Sequence, residues 1–207
     1  MTSSPSTPLA LLGAVLAGGR SRRYGEDKAA VSVAGTPMLE RAITALAGAV
    51  DSVVVVSSRP VPTPPGAQVI PDRHDGIGPM GGLHAALLEA SERGLDGAFV
   101  LACDLPLVTG DVVRAVVAEA AQGGRACAPT RGSGIEPLCS VWHTDVLDEV
   151  ESRIASASLS LHGLFDAVDG RRVEAFETFD PSSAFLNVNT PDDRAVAEAH
   201  LADRSPR

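Results

Sequence analysis

Five short apolar runs, separated by stretches of helical periodicity, constrain the fold of this chain more than any other feature. They are LLGAVLA (11–17), SVVVVSS (52–58), AQVIP (67–71), GAFVLAC (97–103) and RACAPT (125–130). Each is β-branched or apolar almost throughout, the pattern of a strand covered on both faces. Helix candidates lie between them. One opens at Thr36-Pro37, with Pro at the first helical position, and runs to about Gly48. A second starts at Gly78-Pro79 and continues to about Arg93. A third is capped by Thr109 and carries Val112, Val113, Val116 and Val117 on one stripe. Strand and helix in alternation predict an α/β fold, a Rossmann-like three-layer sandwich with a mostly parallel sheet between helices.

Later segments extend the pattern. EPLCSVW (136–142) and RRVEAFET (171–178) read as strands, and HTDVLDEVESRI (143–154) as a helix. NTPDD (189–193) starts a final helix, with Thr190 as N-cap, Pro191 at N1 and Asp193 closing a capping box in place of the usual Glu. The sequence shows neither an internal repeat nor a long linker. A single domain is therefore expected over 9–203, behind a polar, Pro-rich tail at 1–8 (MTSSPSTP) expected to be disordered. The tail lacks the charged and apolar regions of a signal peptide, and no run approaches a membrane span, so a cytoplasmic protein is expected.

Cys103, Cys127 and Cys139 form no C-x-x-C pair and no zinc spacing, which favours buried thiols. His74, His84, His143, His162 and His200 lack the spacing of a helical metal pair, and none receives a role. The formal net charge of -9 argues against a nucleic-acid partner, which would need a broad basic face. One stretch runs against that balance. LAGGRSRRYGEDK (16–28) sets Arg20, Arg22, Arg23 and the chain's sole lysine, Lys28, against only Glu26 and Asp27. A local cationic site on an acidic protein suits a small anionic ligand.

In a sheet of this kind ligands bind beyond the carboxyl ends of the strands. Three such ends stand out: the glycine stretch after the first run, Asp72 after AQVIP, and Asp104 after GAFVLAC. The glycine stretch is neither a P-loop nor a dinucleotide fingerprint. Gly18 and Gly19 still let backbone N–H groups approach an anion, and Arg23 and Lys28 add mobile charge. An ordinary glycine turn with solvated arginines would fit the same residues. Asp104 stands where Mg²⁺ would bridge protein and phosphate oxygens, since that ion takes one or two carboxylates plus phosphate and water. CDLP is also a good turn sequence in its own right.

The motifs together resemble those of the molybdenum cofactor guanylyltransferases, within the nucleotidyltransferase fold group. LAGGRSRRYGEDK is similar to their L-A-G-G-x-S-x-R-[MF]-G-x-D-K signature, GPMGGLHAAL to a helix start, and CDLPLV to a metal-binding segment. EPLCSVW and FLNVNTPDD follow in family order, so the likeness spans about residues 11 to 201. The resemblance implies transfer of GMP from Mg-GTP to the phosphate of the molybdopterin cofactor, releasing pyrophosphate. It implies that Leu16, Ala17, Gly18 and Gly19 line the guanine and phosphate site and that Lys28 contacts phosphates. Asp72 would lie near the nucleotide, Asp104 would hold Mg²⁺, and Asn187 and Asn189 would stand on the pterin side or among the residues that support the metal's ligand. Implied partners are GTP and the molybdopterin cofactor, with a cofactor-donor protein or an apo-oxidoreductase as further candidates for a docking surface within 143–185; SRIASASLSLHGLF there carries an apolar stripe suited to core or interface. No nucleic acid and no membrane is expected.

Two positions depart from the family pattern. Tyr24 replaces Met or Phe, and SSRPVPTPP (57–65) has no Asn where relatives often read the base, leaving Ser57 or Ser58 to offer one hydrogen bond. LAGG in place of the cytidylyltransferases' LAAG favours guanine. The alternatives are a cytidylyl- or sugar-phosphate nucleotidyltransferase on the same fold, and a non-catalytic nucleotide-binding adaptor.

The proposed chemistry explains why no histidine is required. A phosphate nucleophile is already ionised at neutral pH, so no general base is needed. The obstacle is anion–anion repulsion: about 1 kcal/mol per pair of unit charges at 4 Å in water, and about 4 at an effective dielectric of 20. Asp104 with its metal ion, the Gly18–Gly19 amides, Arg23 and Lys28 would act by positioning and neutralising charge.

Overall fold

The computed structural model describes residues 8–17, 31–74, 76–174 and 181–204. In chain order, β1 (Leu11–Leu16) is followed by a small hairpin of β2 (Ser32–Val33) and β3 (Thr36–Pro37), then α1 (Met38–Leu46), β4 (Ser52–Val56) and β5 (Gln68–Ile70). Next come α2 (Pro79–Glu92), β6 (Gly97–Ala102), α3 (Gly110–Ala120), β7 (Ala126–Arg131), β8 (Gly134–Ile135) and β9 (Cys139–His143). The remaining elements are α4 (Leu147–Ala155), α5 (Leu161–Ala167), β10 (Arg171–Val173), α6 (Pro181–Ala184) and α7 (Pro191–Arg204).

The main sheet runs β10-β7-β9-β6-β1-β4-β5, with β8 hairpinned onto β7. β1 is central and pairs in parallel with both β4 and β6, as the five apolar runs predict. The exception is β9, antiparallel to both β6 and β7, so the sheet is mixed though mostly parallel. Alternate residues of β1 supply the two faces. Leu11 and Val15 join a layer with α1 and α3, whereas Leu12, Ala14 and Leu16 join one built on α2, α4 and α5. No helix among the described residues is long and apolar enough to cross a membrane.

Three local expectations are corrected. Thr36-Pro37 does not open a helix: both residues pair with Val33 and Ser32, and α1 begins at Met38. The Arg41 side chain fixes that hairpin by donating from Nε and Nη2 to the Val33 carbonyl, at 3.0 and 2.7 Å. The strand read at 136–142 begins only at Cys139, because Glu136 to Cys139 forms a turn closed by Cys139 N–H donating to the Glu136 carbonyl. Pro137 within it can donate nothing to a ladder. The stripe in SRIASASLSLHGLF is split between α4 and α5 by a loop in which Ala157 takes φ 56°. Its apolar members Leu161, Leu164 and Phe165 lie in the core and Ile154 packs against it, the core reading of the stripe. The capping box holds as read. Asp193 N–H donates to Thr190 Oγ1 at 3.2 Å, and Thr190 N–H to Asp193 Oδ2 at 2.9 Å.

Gly97 shows how tightly β6 and β9 meet. A Cβ there would overlap the Trp142 carbonyl oxygen, a backbone atom with nowhere to go. Gly97→Ala is expected to destabilise the fold by about 1–3 kcal/mol, read as a lower urea midpoint. Gly13→Ala meets only the movable Val50 Cγ2 first, at 2.8 Å, and should cost less.

All three cysteines are buried and reduced. Burial pushes the Cys127 thiol up to about 12, with Glu119 adding to the rise and Arg171 opposing it. Burial, then Glu136, pushes the Cys139 thiol up as well. The unfolded chain therefore releases these protons first, at a thiol pKa of roughly 8.5. Stability is full below that pH and falls as pH rises toward the folded values. The sequence has one lysine and one tyrosine to titrate in the same range. The urea midpoint is expected to drop between about pH 9 and 11, and Cys127→Ala to flatten that slope. An unchanged slope in the variant would refute the assignment.

Candidate active site

The carboxyl ends of β1, β4, β5 and β6 lie along one edge of the sheet because they run parallel and in register. Leu16 pairs with Val56 and with Ala102, and Val56 pairs with Ile70. Beyond those ends Ala17 N–H donates to the Val56 carbonyl at 3.0 Å, and Cys103 N–H to the Leu16 carbonyl at 3.2 Å. Ala17 and the loop carrying Asp104 therefore leave the sheet side by side, and Asp72 emerges two strands away. Gly18, Gly19, Arg23 and Lys28 lie outside the described residues.

Asp104 is held from both of its ends. Its carbonyl accepts from Val188 N–H at 2.9 Å, which pins the segment before α7 against the end of β6. Asn187 then reaches its carboxylate. In the amide orientation that satisfies its neighbours, Asn187 Nδ2 donates to Asp104 Oδ1 at 3.2 Å and Oδ1 accepts from Arg131 Nη1 at 3.2 Å. Arg131 Nη1 also donates to Glu136 Oε2 at 2.6 Å. Glu136 is only 5% exposed, and its Oε1 accepts from Leu138 N–H at 3.3 Å. A buried carboxylate needs such partners, because an unpaired one costs several kcal/mol. The result is a chain Asp104–Asn187–Arg131–Glu136 that couples β6, β7 and the turn before β9.

Asn189 is tied to the cap of α7. It is exposed, and its N–H donates to Asp193 Oδ2 at 2.9 Å in the cap of α7. The fold brings Asn187 to Asp104.

Asp72 packs against the first turn of α2. Its Oδ1 accepts from His74 N–H at 2.9 Å, an Asx turn, and a Cβ on Gly81 would stand 2.6 Å from the same oxygen. Only glycine at 81 lets the carboxylate sit at the positive end of this helix. The His74 ring lies on that of His84, centroids 4.8 Å apart, and His84 Nε2 is 3.5 Å from Glu151 Oε1 on α4. The ring contact fastens His74 to α2. Gly81→Ala is expected to displace the Asp72 carboxylate from α2 and to destabilise the fold by about 1–3 kcal/mol. Gly82→Ala, which meets the flexible end of Leu16 at 2.9 Å, is expected to cost less. The urea midpoints of the two variants compare them.

Ser57 is removed as a reader of the base. It is buried, and its hydroxyl donates to the Arg59 carbonyl at 2.8 Å and accepts from Arg59 N–H at 3.2 Å. Ser58 is exposed. The sequence also concealed Arg131 and Glu136, whose proximity to Asp104 depends on β9 lying between β6 and β7. The one visible hint was Glu136 at the head of the EPLCSVW motif.

Among the described residues no group of three or more His, Cys, Asp or Glu side chains could enclose a metal ion. That excludes a closed structural site there and leaves the donor set Mg²⁺ accepts, a supported carboxylate completed by phosphate and water. Asp104, with Oδ1 oriented by Asn187, fits that role. A cavity of about 520 Å³ adjoins this edge, bounded by Pro79, Arg131, Asn187 and Leu161 among others. A second, of about 430 Å³ around Leu95, Asp96 and His143, lies at the opposite ends of the strands, away from the chemistry.

Comparison with known proteins agrees with this geometry. The family described as MobA-like NTP transferase domain matches residues 13–169. A probable molybdenum cofactor guanylyltransferase of Mycobacterium marinum is 30% identical over 196 residues, 93% of this chain and 96% of that protein. The crystal structure of molybdopterin-guanine dinucleotide biosynthesis protein A from Archaeoglobus fulgidus superposes with a TM-score of 0.76 at 26% identity, covering 93% of this chain and all of that one. The 2-C-methyl-D-erythritol 4-phosphate cytidylyltransferase of Thermus thermophilus shares the fold at 17% identity, with a TM-score of 0.67 over 91% of this chain and 98% of that one.

Proposed function

Because the chain belongs to the MobA-like NTP transferases, and among them to the molybdenum cofactor guanylyltransferase family, we propose that it transfers GMP from GTP to the molybdopterin cofactor. A terminal phosphate oxygen of the cofactor attacks the α-phosphorus of GTP. The bond from that phosphorus to the β-phosphate bridging oxygen breaks, pyrophosphate leaves, and a diphosphate links guanosine to the pterin. The observation that carries this reading is Asp104, fixed by Asn187 at a strand end beside Ala17, where the glycine stretch begins.

Each residue has a distinct task. Leu16 and Ala17 shape the floor of the nucleotide site, and the amides of Gly18 and Gly19 approach its phosphates. Asp72, seated on α2, borders the nucleotide. Arg23 and Lys28 neutralise the triphosphate, and Lys28 follows the departing pyrophosphate as a compact charge. Asp104 holds Mg²⁺, which when bound offsets charge on the phosphate oxygens. Asn187 keeps the Asp104 carboxylate oriented, and Asn189 faces the pterin side. The site residues bind, orient and screen, and none has to move a proton. The cytoplasm, where GTP is abundant, is the compartment that suits this reaction.

Incubation of the protein with Mg-GTP and molybdopterin, scored by pyrophosphate release, tests the reading. Release with GTP and negligible release with CTP, ATP or UTP is expected. A larger rise in Tm with CTP than with GTP would transfer the assignment to cytidylyl chemistry, since bound ligand stabilises in proportion to its affinity. Nucleotide binding without pyrophosphate release would indicate an adaptor.

A further inference from the structure

We infer that the last helix, α7, is a clasp on the nucleotide site, with Glu198 as its positioning residue. Glu198 holds the β2–β3 hairpin, so that the chain leaves the glycine stretch at a fixed place relative to Asp104. The inference rests on the reaction proposed above and adds a residue that acts on it through Lys28.

The hairpin needs outside support. Its strands have two residues each, and the turn between them is Ala34-Gly35, with φ 49° and 78°. A two-residue turn with positive φ at both positions usually takes Asn, Asp or Gly. Alanine avoids that region because its Cβ crowds the following carbonyl oxygen, and its side chain has no local hydrogen bond to offer in return. The support comes from α7. Ala34 N–H donates to Glu198 Oε1 at 3.0 Å, across 164 positions of sequence, and Arg194 Nε donates to the same oxygen at 3.0 Å. The Ala34 N–H, then Arg194, hold the Glu198 carboxyl below the usual carboxylate range. The charged form, which accepts the stronger hydrogen bond, is therefore the one present at neutral pH. From α1, Arg41 grips the Val33 carbonyl of the same hairpin.

The same helix reaches the metal side. Val31, Val33, Met38, Leu107, Val188 and Ala197 form a small buried cluster apart from the two layers on the sheet. Val31 stands three positions after Lys28, and Leu107 three after Asp104. Val188 follows Asn187 and donates its N–H to the Asp104 carbonyl at 2.9 Å, and Ala197 directly precedes Glu198. One cluster thus gathers the exit of the glycine stretch, the loop of Asp104 and the approach to α7. Transfer depends on positioning, and a displacement of about 1 Å in a reacting or charged group can cost about 100-fold. A hairpin released by Glu198 would let that exit shift while Val188 still pins Asp104.

Glu198→Ala in the full-length protein is expected to lower kcat for pyrophosphate release about 3- to 10-fold, with KM for GTP within about twofold. Glu198→Gln, whose amide oxygen still accepts from Ala34 N–H, should keep most of the rate. In a Lys28→Ala background Glu198→Ala should cost less than about twofold, because a residue that acts through Lys28 then has nothing to position. An equal loss in both backgrounds would make Glu198 merely structural and overturn the inference, as would wild-type kcat in Glu198→Ala. Hydrogen exchange at the amides of residues 31–36 provides a readout that needs no turnover. Glu198→Ala should speed exchange at Ala34 about tenfold or more, and Glu198→Gln should change it little. Unchanged exchange refutes the clasp even where activity falls. Faster exchange in a protein that releases no pyrophosphate from GTP leaves the clasp standing and removes the reaction.

Discussion

Asp104→Asn is expected to lower pyrophosphate release by at least about a thousandfold, the upper end of what one charge-stabilising group contributes, with little change in Tm. The geometry explains the separation. The bond that ties Asp104 to Val188 leaves from the Asp104 backbone and survives any side-chain change. An asparagine oxygen can still accept from Asn187, so the neutral side chain keeps that contact and loses the charge proposed to hold a divalent ion. Asp104→Ala should lose as much activity, and if it also loses stability, the comparison with Asn assigns that part to the Asn187 contact. Rates measured across a Mg²⁺ titration complete the test. Turnover near that of wild type in Asp104→Asn would refute the metal assignment.

Lys28→Ala should raise the barrier to transfer by about 2 to 4 kcal/mol, a loss of roughly 30- to 1,000-fold in kcat/KM for GTP. No second lysine exists in the chain to replace its ammonium. Lys28→Arg should recover part of the charge effect and little of the rate, since a planar fork does not follow a leaving group as a compact charge does. With Lys28 in its proposed role of offsetting repulsion among phosphates, the defect should be larger in kcat than in nucleotide affinity. A defect confined to KM would reduce Lys28 to a ground-state contact.

The elements whose determinants are local were legible from residues alone. Asp193 and Thr190 are three positions apart, and their reciprocal bonds need nothing beyond the first turn of α7. The central runs had to become strands covered on both faces because LLGAVL and GAFVLA have no polar face to turn outward. Thr36-Pro37 misled because Pro at a helix start and Pro on a short hairpin look alike in sequence, and Arg41, a residue inside the helix, decides between them. The direction of β9 is equally silent, since an apolar strand buried on both faces reads the same either way.

The chain's own order of residues thus determined which strands exist, that Asp72 and Asp104 follow strand ends, and that cationic and glycine residues cluster after the first of them. Only the tertiary structure decided that Asn187 turns from the start of the last helix onto Asp104 and that Arg131, clamped by buried Glu136, stands behind it. It also spent Ser57 on its own loop and seated Asp72 on Gly81. The physical reason is range. Periodicity and capping are settled within a few residues, whereas a hydrogen-bonded chain across β6, β7 and the approach to α7 joins positions up to 83 apart, 104 to 187, which meet only when the sheet order brings them together.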